Sequence, residues 1–264
     1  CGLLHDIQYQ GAATRYEIQL ENGQNLSISQ ANDQWQAGTP LYQPGQPVTA
    51  RWARAAMIAA MDVVGNPSSV HAEGRAAKAL REKARGQIAA ALGAEGADVV
   101  FTSGATEAAG LACAGRGLVC AEVEHDAVRA WCAPDLAVDA AGRVAVVDPG
   151  QSAVQLANSE TGIVQDLPAG IAVSDLTQAF GKLPIAFNWL GCQMALSSAH
   201  KLGGPPGMGA LLVRNLGLLA PTGGQEQGYR RGTENLPAVI GFATALEAGF
   251  AWMENAVRLR KILE

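Results

Sequence analysis

The 264-residue sequence has little charge: 16% of residues are Asp, Glu, Lys or Arg, and the net charge is −5. It has no long basic run, which argues against nucleic acid as a partner. It has no apolar run that reaches the ~18 residues of a membrane span. It has no GxxxxGK[ST] loop of the kind that cradles nucleotide phosphates. The five cysteines, Cys1, Cys113, Cys120, Cys132 and Cys192, show no CxxC spacing and no metal-ligand pattern. An odd, unpatterned set fits a reducing compartment, so a cytoplasmic location is expected. Each cysteine reads most simply as a small buried apolar residue. Residue 1 is Cys rather than Met, which reads as a fragment boundary before it reads as a lipid-modified cysteine.

What is present is apolar and rich in glycine. Apolar residues make up 48% of the chain and glycine 31 positions. That composition can bury a large core and does not suggest disorder. The glycines imply tight turns and close backbone approaches.

Two compositions share the chain. Residues 1–50 hold nine Gln, no Lys and one Arg, whereas the other 214 residues hold eight Gln. The first stretch patterns as β: "IQYQGAATRYEIQL" reads as a strand, "ENGQ" as a hairpin turn around Asn22-Gly23, and "NLSIS" as the return strand. "GQPVTARW" reads as a further strand, and a module of about five short strands is expected. "YQGAATRYEIQLENGQNLSISQAN" followed by "PGQPVTARW" resembles a TOBE domain, the β-module appended to ATPase subunits of certain ABC importers. By itself such a module implies binding or a structural role.

From about Ala53 the pattern becomes helices alternating with short apolar strands. "GRAAKALREKARGQIAAALGA" carries an apolar stripe at Ala77, Leu80, Ala84, Ile88 and Leu92, which is helical spacing. "DVVFT" reads as a strand and "AAGLACAGRG" as a helix. Further strands are expected at "GLVCAEV", "RVAVV", "AVQLA", "GIAVSD", "MALSSA" and "GALLVR". The alternation predicts an α/β domain with a largely parallel sheet.

In such sheets ligands sit beyond the carboxyl ends of the strands. "TSGATE" closes the strand "VVF" and opens a helix, whose free N–H groups would suit a phosphate, with Ser103 and Thr106 as added donors. An ordinary Ser/Thr cap explains the turn equally well. Asp175 ends "GIAVSD" and needs a partner, which a protonated pyridine nitrogen or a helix cap would supply. His125 follows "AEVE" and can be an aromatic plate, a proton carrier or a plain turn residue. Lys201 follows "MALSSAH", flanked by Ser198 and His200 and then by glycines, a setting suited to imine chemistry or to a lysine reaching solvent. Taken together, phosphate cradle, carboxylate, ring stacker and lysine form the set that pyridoxal 5′-phosphate requires.

At these residues the chain is identified as resembling a family. Residues from about 53 to 264 resemble class-V pyridoxal-phosphate enzymes, specifically cysteine desulfurases of the NifS/IscS type. The matching stretches are "GNPSSVHAEGRAAKALREKAR", "FTSGATEAAGLA", "EHDAV", "ANSETGIVQD", "DLTQAFGKLPI", "SSAHKLGGPPGMGALLVR" and "GGQEQGYRRGTENLPAVIGFATALE". The resemblance implies fold type I, a mostly parallel sheet with flanking helices, here preceded by the small β-module over 1–52. It implies that Lys201 holds the cofactor as an imine, Asp175 pairs with the pyridine N–H, and Gln178 donates to the phenolic oxygen. His125 stacks on the ring. Ala105, Thr106, Ser198 and His200 form the phosphate pocket. Thr233, in "RRGTEN", reaches the cofactor of a partner subunit, which implies a homodimer. The implied reaction converts L-cysteine to L-alanine and passes the sulfur, as a persulfide, to an iron–sulfur scaffold or a sulfur carrier protein.

Three departures accompany the resemblance. Ser159 stands where the family has a second Asn, after Asn158. The TOBE-like segment replaces the family's opening strand and turn. No cysteine among the 264 residues stands in the context of the family's nucleophilic cysteine, which belongs to a further small domain. The expectation is a pocket that binds pyridoxal phosphate, with weak or absent persulfide formation by these residues alone. Two other readings stay open: a non-catalytic TOBE-type, transporter-associated fragment, and another class-V activity such as transamination or selenocysteine cleavage.

Overall fold

The computed structural model describes residues 2–10, 13–20, 25–31, 47–48 and 54–248. Two units divide between Trp52 and Ala53. In the first, β1 (Gly2–Gln10), β2 (Ala13–Leu20), β3 (Asn25–Ala31) and β4 (Pro47–Val48) form an antiparallel sheet in the order β3-β2-β1-β4. Gln10 pairs with Ala13 across the ladder. The stretch "IQYQGAATRYEIQL", expected as one strand, therefore belongs to two. Ile28 pairs with Tyr16 and Asn25 with Gln19, as a return strand requires. Of "GQPVTARW", only Pro47 and Val48 are described as strand, paired with Leu3 and Gly2. The Asn22-Gly23 turn and the fifth strand lie outside the described residues.

The second unit is α/β. Helices α1 (Arg54–Met61), α2 (Ala72–Ala91), α3 (Ala105–Cys113), α4 (Asp126–Arg129), α5 (Phe187–Leu190) and α6 (Leu236–Glu247) surround seven strands. These are β5 (Asp98–Thr102), β6 (Val119–Ala121), β7 (Ala133–Leu136), β8 (Ala153–Gln155), β9 (Val173–Asp175), β10 (Met194–Ser198) and β11 (Gly209–Val213). Five of them run β5-β11-β10-β9-β8. A Val119–Ser152 bridge extends this order to the parallel pair β6-β7. Neighbours β10-β9 and β9-β8 are parallel, and only β11 runs against its neighbours β5 and β10.

The strands β9, β10 and β11 are buried along their whole length. That is why "AVSD", "MALSS" and "GALLV" read as continuous apolar or small runs rather than as alternation. Helix α3 buries Ala108, Ala109, Ala112 and Cys113 in the same core as Val100, Leu196 and Leu211, and its small side chains bring it close to the sheet. Helix α2 buries Gly74, Ala77, Arg81, Ala84 and Ile88. Leu80, expected on that stripe, is only half-buried, because Arg81 occupies the buried position. Arg81 Nη1 meets Glu234 Oε1 at 2.6 Å, and Arg85 Nη1 meets Glu226 Oε2 at 2.7 Å. Glu226 Oε2 also accepts the Phe101 N–H at 2.8 Å, tying the 226–234 loop to β5. The charges are thus compensated within the core, as buried ions require.

Two strand expectations differ from the structure. "RVAVV" makes a single bridge, Val138 to Val144, and the Val144 N–H is held by the Gln165 side chain at 3.0 Å instead of by a neighbouring strand. The sheet's outer position is taken by β7, which contains Pro134 and leaves three of its four residues exposed. Proline removes a ladder donor and is tolerated at such an edge.

Candidate active site

The carboxyl ends of β5, β8, β9 and β10 converge with the start of β11 around one cavity of about 630 Å³. Nine of the ten site residues placed through the family resemblance line it: Ala105, Thr106, His125, Ser159, Asp175, Gln178, Ser198, His200 and Lys201. They come from stretches up to ~100 residues apart, which only the parallel topology brings together. The tenth, Thr233, is exposed and does not line this cavity.

One end of the cavity is built from backbone. Helix α3 opens at Gly104 with no side-chain cap, so the N–H groups of its first turn remain available for an anion. Ser103 N–H is the exception, donating to Glu107 Oε2 at 2.5 Å, and Glu107 in turn takes Arg230 Nε at 2.8 Å. Ser198 Oγ and His200 Nδ1 lie 2.9 Å apart on the facing turn. Burial, then the positive charges of Lys201 and Lys182, hold His200 below the usual imidazole range. Gly209 makes this end possible: a Cβ there would stand 2.6 Å from the Ser197 carbonyl oxygen and 2.7 Å from Gly104.

The other end is acidic and buried. Asp175 ends β9 with 8% exposure, and its Oδ1 accepts the Thr177 N–H at 2.8 Å. Burial raises its carboxyl above the usual range, against the Thr177 hydrogen bonds and His125, which lower it. His125 caps α4, its Nδ1 accepting the Ala127 N–H at 3.1 Å. That bond assigns the neutral ring's proton to Nε2. Thr177 and Gln155 line the cavity, and Thr177 Oγ1 and Gln155 Oε1 are buried with no hydrogen-bond partner among the described residues. Asn158 uses both ends of its amide on protein: Oδ1 takes the N–H groups of Glu160 and Thr161, and Nδ2 donates to Val123 O at 2.8 Å. Ser159, half-buried beside it, faces the cavity.

Lys201 stands between the two ends, exposed to the cavity on the turn after β10. The turn is closed by Ala199 N–H to Met208 O at 3.0 Å and by Gly204 N–H to Ala199 O at 2.9 Å. Lys182 Nζ donates to the Lys201 carbonyl at 3.2 Å. Sequence reasoning missed Gln155, Glu160, Thr177, Pro206 and Gly207 as lining residues. Thr177 had a signal, two residues beyond Asp175 in "DLTQ"; Gln155 had none, because it lies inside an apolar strand.

The four described cysteines, Cys113, Cys120, Cys132 and Cys192, are buried, and none lines the cavity. Burial pushes Cys192 up to about 11, and the Cys113 thiol with burial pushes Cys132 up to about 12.

The aminotransferase class-V profile matches residues 50–262, and a TOBE domain profile matches residues 2–59. A cysteine desulfurase from Frankia sp. is 36% identical over 75% of this chain and 59% of its own length. A cysteine desulfurase (IscS 1) from Archaeoglobus fulgidus is 33% identical over 84% of this chain and 68% of its own. A NifS-like protein from Rickettsia africae superposes with a TM-score of 0.66, at 31% identity, over 80% of this chain and 69% of that one. The chain thus spans roughly three-fifths to two-thirds of the curated relatives it matches. Fold, cavity and sequence agree on one conclusion: the chain belongs to the class-V aminotransferase family, alongside its cysteine desulfurases.

Proposed function

We propose that the cavity binds pyridoxal 5′-phosphate and serves a cysteine desulfurase-type reaction. One observation carries the reading: nine residues assigned from separate motifs line a single cavity with an anion cradle at one end and a carboxylate at the other. In this reading residues 1–52 are a TOBE-type module and residues 53–264 the cofactor-binding domain.

The donor set fits the cofactor. The first turn of α3, with Thr106, Ser198 and His200, would hold the phosphate. Asp175 would accept the pyridine N–H, and its Thr177 bond keeps the carboxylate oriented. Gln178 would donate to the phenolic oxygen, with Ser159 nearby as a shorter substitute for an amide. His125 would cover the ring face, with Nε2 carrying its proton. When bound, pyridoxal phosphate supplies an aldehyde for an amine and an electron sink for the carbanion. Lys201 supplies the amine. Its Nζ, when free, would take the α-proton of L-cysteine.

In the overall reaction the Cβ–S bond of L-cysteine breaks, L-alanine leaves, and the sulfur passes to a thiolate as a persulfide. That thiolate does not come from the four described cysteines, all of which are buried away from the cavity. The sulfur then goes to a scaffold or carrier protein, and the working unit is a cytoplasmic homodimer in which Thr233 reaches the partner's site. The test is the visible absorption spectrum of the chain with added pyridoxal phosphate, beside Lys201→Ala. A protein-bound band present in the first and missing in the second supports the reading; no band in either overturns it.

A further inference from the structure

Behind the acidic end of the cavity lies a second carboxyl that the proposed reaction does not use. Glu124 follows β6, where its N–H closes a turn on Ala121 O at 3.1 Å, and it is 5% exposed. Its Oε1 accepts the Gln155 N–H at 2.8 Å, while Oε2 is buried with no partner among the described residues. Gln155 is in register with Asp175 on the adjoining strand, so a single backbone position separates the two buried carboxyls. The next N–H along, that of Leu156, goes to the Asp175 carbonyl at 3.0 Å.

Two desolvated negative charges on either side of one strand repel each other, which favours the neutral form of one of the pair. The surroundings decide which. Asp175 faces His125 and opens on the cavity. Glu124 has a single N–H donor and no ion pair among the described residues. Near it lie two neutral thiols, Cys120, raised by its contact with Cys132 and by burial, and Cys132, raised by Cys113 and by burial. Arg129, on the rim of the adjoining 390 Å³ cavity, is paired with Asp126 at 3.4 Å. An ionised carboxylate has about four acceptor sites to satisfy, whereas a neutral acid needs far less.

We infer that Glu124 is a positioning residue that keeps its proton, so that the negative charge at the acidic end rests on Asp175 alone. Only the charge's effect on a bound ring depends on the pyridoxal phosphate reading; the carboxyl pair belongs to the protein itself. Burial first, and then the Asp175 charge, push Glu124 up to about 8. A carboxyl raised in the folded state contributes stability that is full below its unfolded value near 4.5. That contribution is lost as pH climbs to about 8. Above that, a second negative charge faces Asp175.

The experiment compares the 264-residue chain with Glu124→Gln, which keeps an oxygen for Gln155 N–H and cannot ionise. The readout is Tm between pH 5 and 9 without cofactor. The other carboxyls titrate alike in both proteins and cancel in the difference. The variant should gain on the parent by roughly 10 °C or more as pH rises and level off above about 8. In an Asp175→Asn background the levelling-off should move to lower pH. A Tm difference independent of pH would show Glu124 ionised throughout and overturn the inference. A plateau unmoved by Asp175→Asn would overturn the pairing. With pyridoxal phosphate added, the visible band should show a step near the same pH that Glu124→Gln removes. Absence of any band would count against the cofactor reading, while the cofactor-free Tm series still decides the carboxyl pair.

Discussion

The two ends of the cavity solve opposite electrostatic problems with opposite materials. The α3 end offers positive potential without a formal charge, using backbone N–H groups, hydroxyls and an imidazole held neutral by burial. The β9 end offers negative potential through a buried carboxylate that needs every hydrogen bond it has. Backbone N–H groups at a helix start carry no formal charge to neutralise, whereas a carboxylate must be compensated residue by residue. The first end should therefore tolerate loss of any one side chain, and the second should not.

Substitutions test this asymmetry. Lys201→Ala, between the ends, should abolish the cofactor band and reduce alanine formation by at least about 10³-fold, measured with L-cysteine and an added thiol as sulfur acceptor. Asp175→Asn keeps an oxygen for Thr177 N–H but removes the charge. It should cut turnover on the order of 100-fold or more while cofactor affinity falls far less, a split read from titration beside steady-state rates. Gly209→Val breaks the α3 end through its backbone, since a Cβ has no room beside Gly104 and Ser197. About 1–3 kcal/mol of stability should be lost, seen as a lower Tm, together with weakened phosphate binding. Ser198→Ala removes one hydroxyl among several donors. Near 1 kcal/mol for a single hydrogen bond translates to about five-fold weaker cofactor binding, and a loss as large as that of Asp175→Asn would break the comparison.

The same asymmetry governs what was legible in the sequence. The site's named residues sit at the ends of apolar runs, and "DVVFT", "MALSS" and "GALLV" coincide with β5, β10 and β11. The α3 turn, Asp175 and Lys201 could be placed because each interrupts such a run with a polar group. Glu124, Gln155 and Arg81 could not. Each is a polar residue whose burial depends on a partner distant in the chain: Gln155 for Glu124, the ladder with Asp175 for Gln155, and Glu234 for Arg81. Local pattern carries no trace of a contact made about 20 to 150 residues away. The strand β7 was missed for the converse reason. An edge strand with a proline and three exposed residues has no apolar signature.

The hairpin that carries Lys201 has a consequence of a different kind. Because β11 is the antiparallel member of the sheet, it returns directly from β10, and the lysine turn is clamped at its base by the Ala199–Met208 bond. The main chain beneath the amine is therefore fixed, and only the side-chain torsions remain to be searched. A reagent held in this way acts at a high effective concentration, up to ~10⁵ M or more where alignment is good. The conformational freedom that a free amine would surrender on each encounter has already been lost, once, when the hairpin folded.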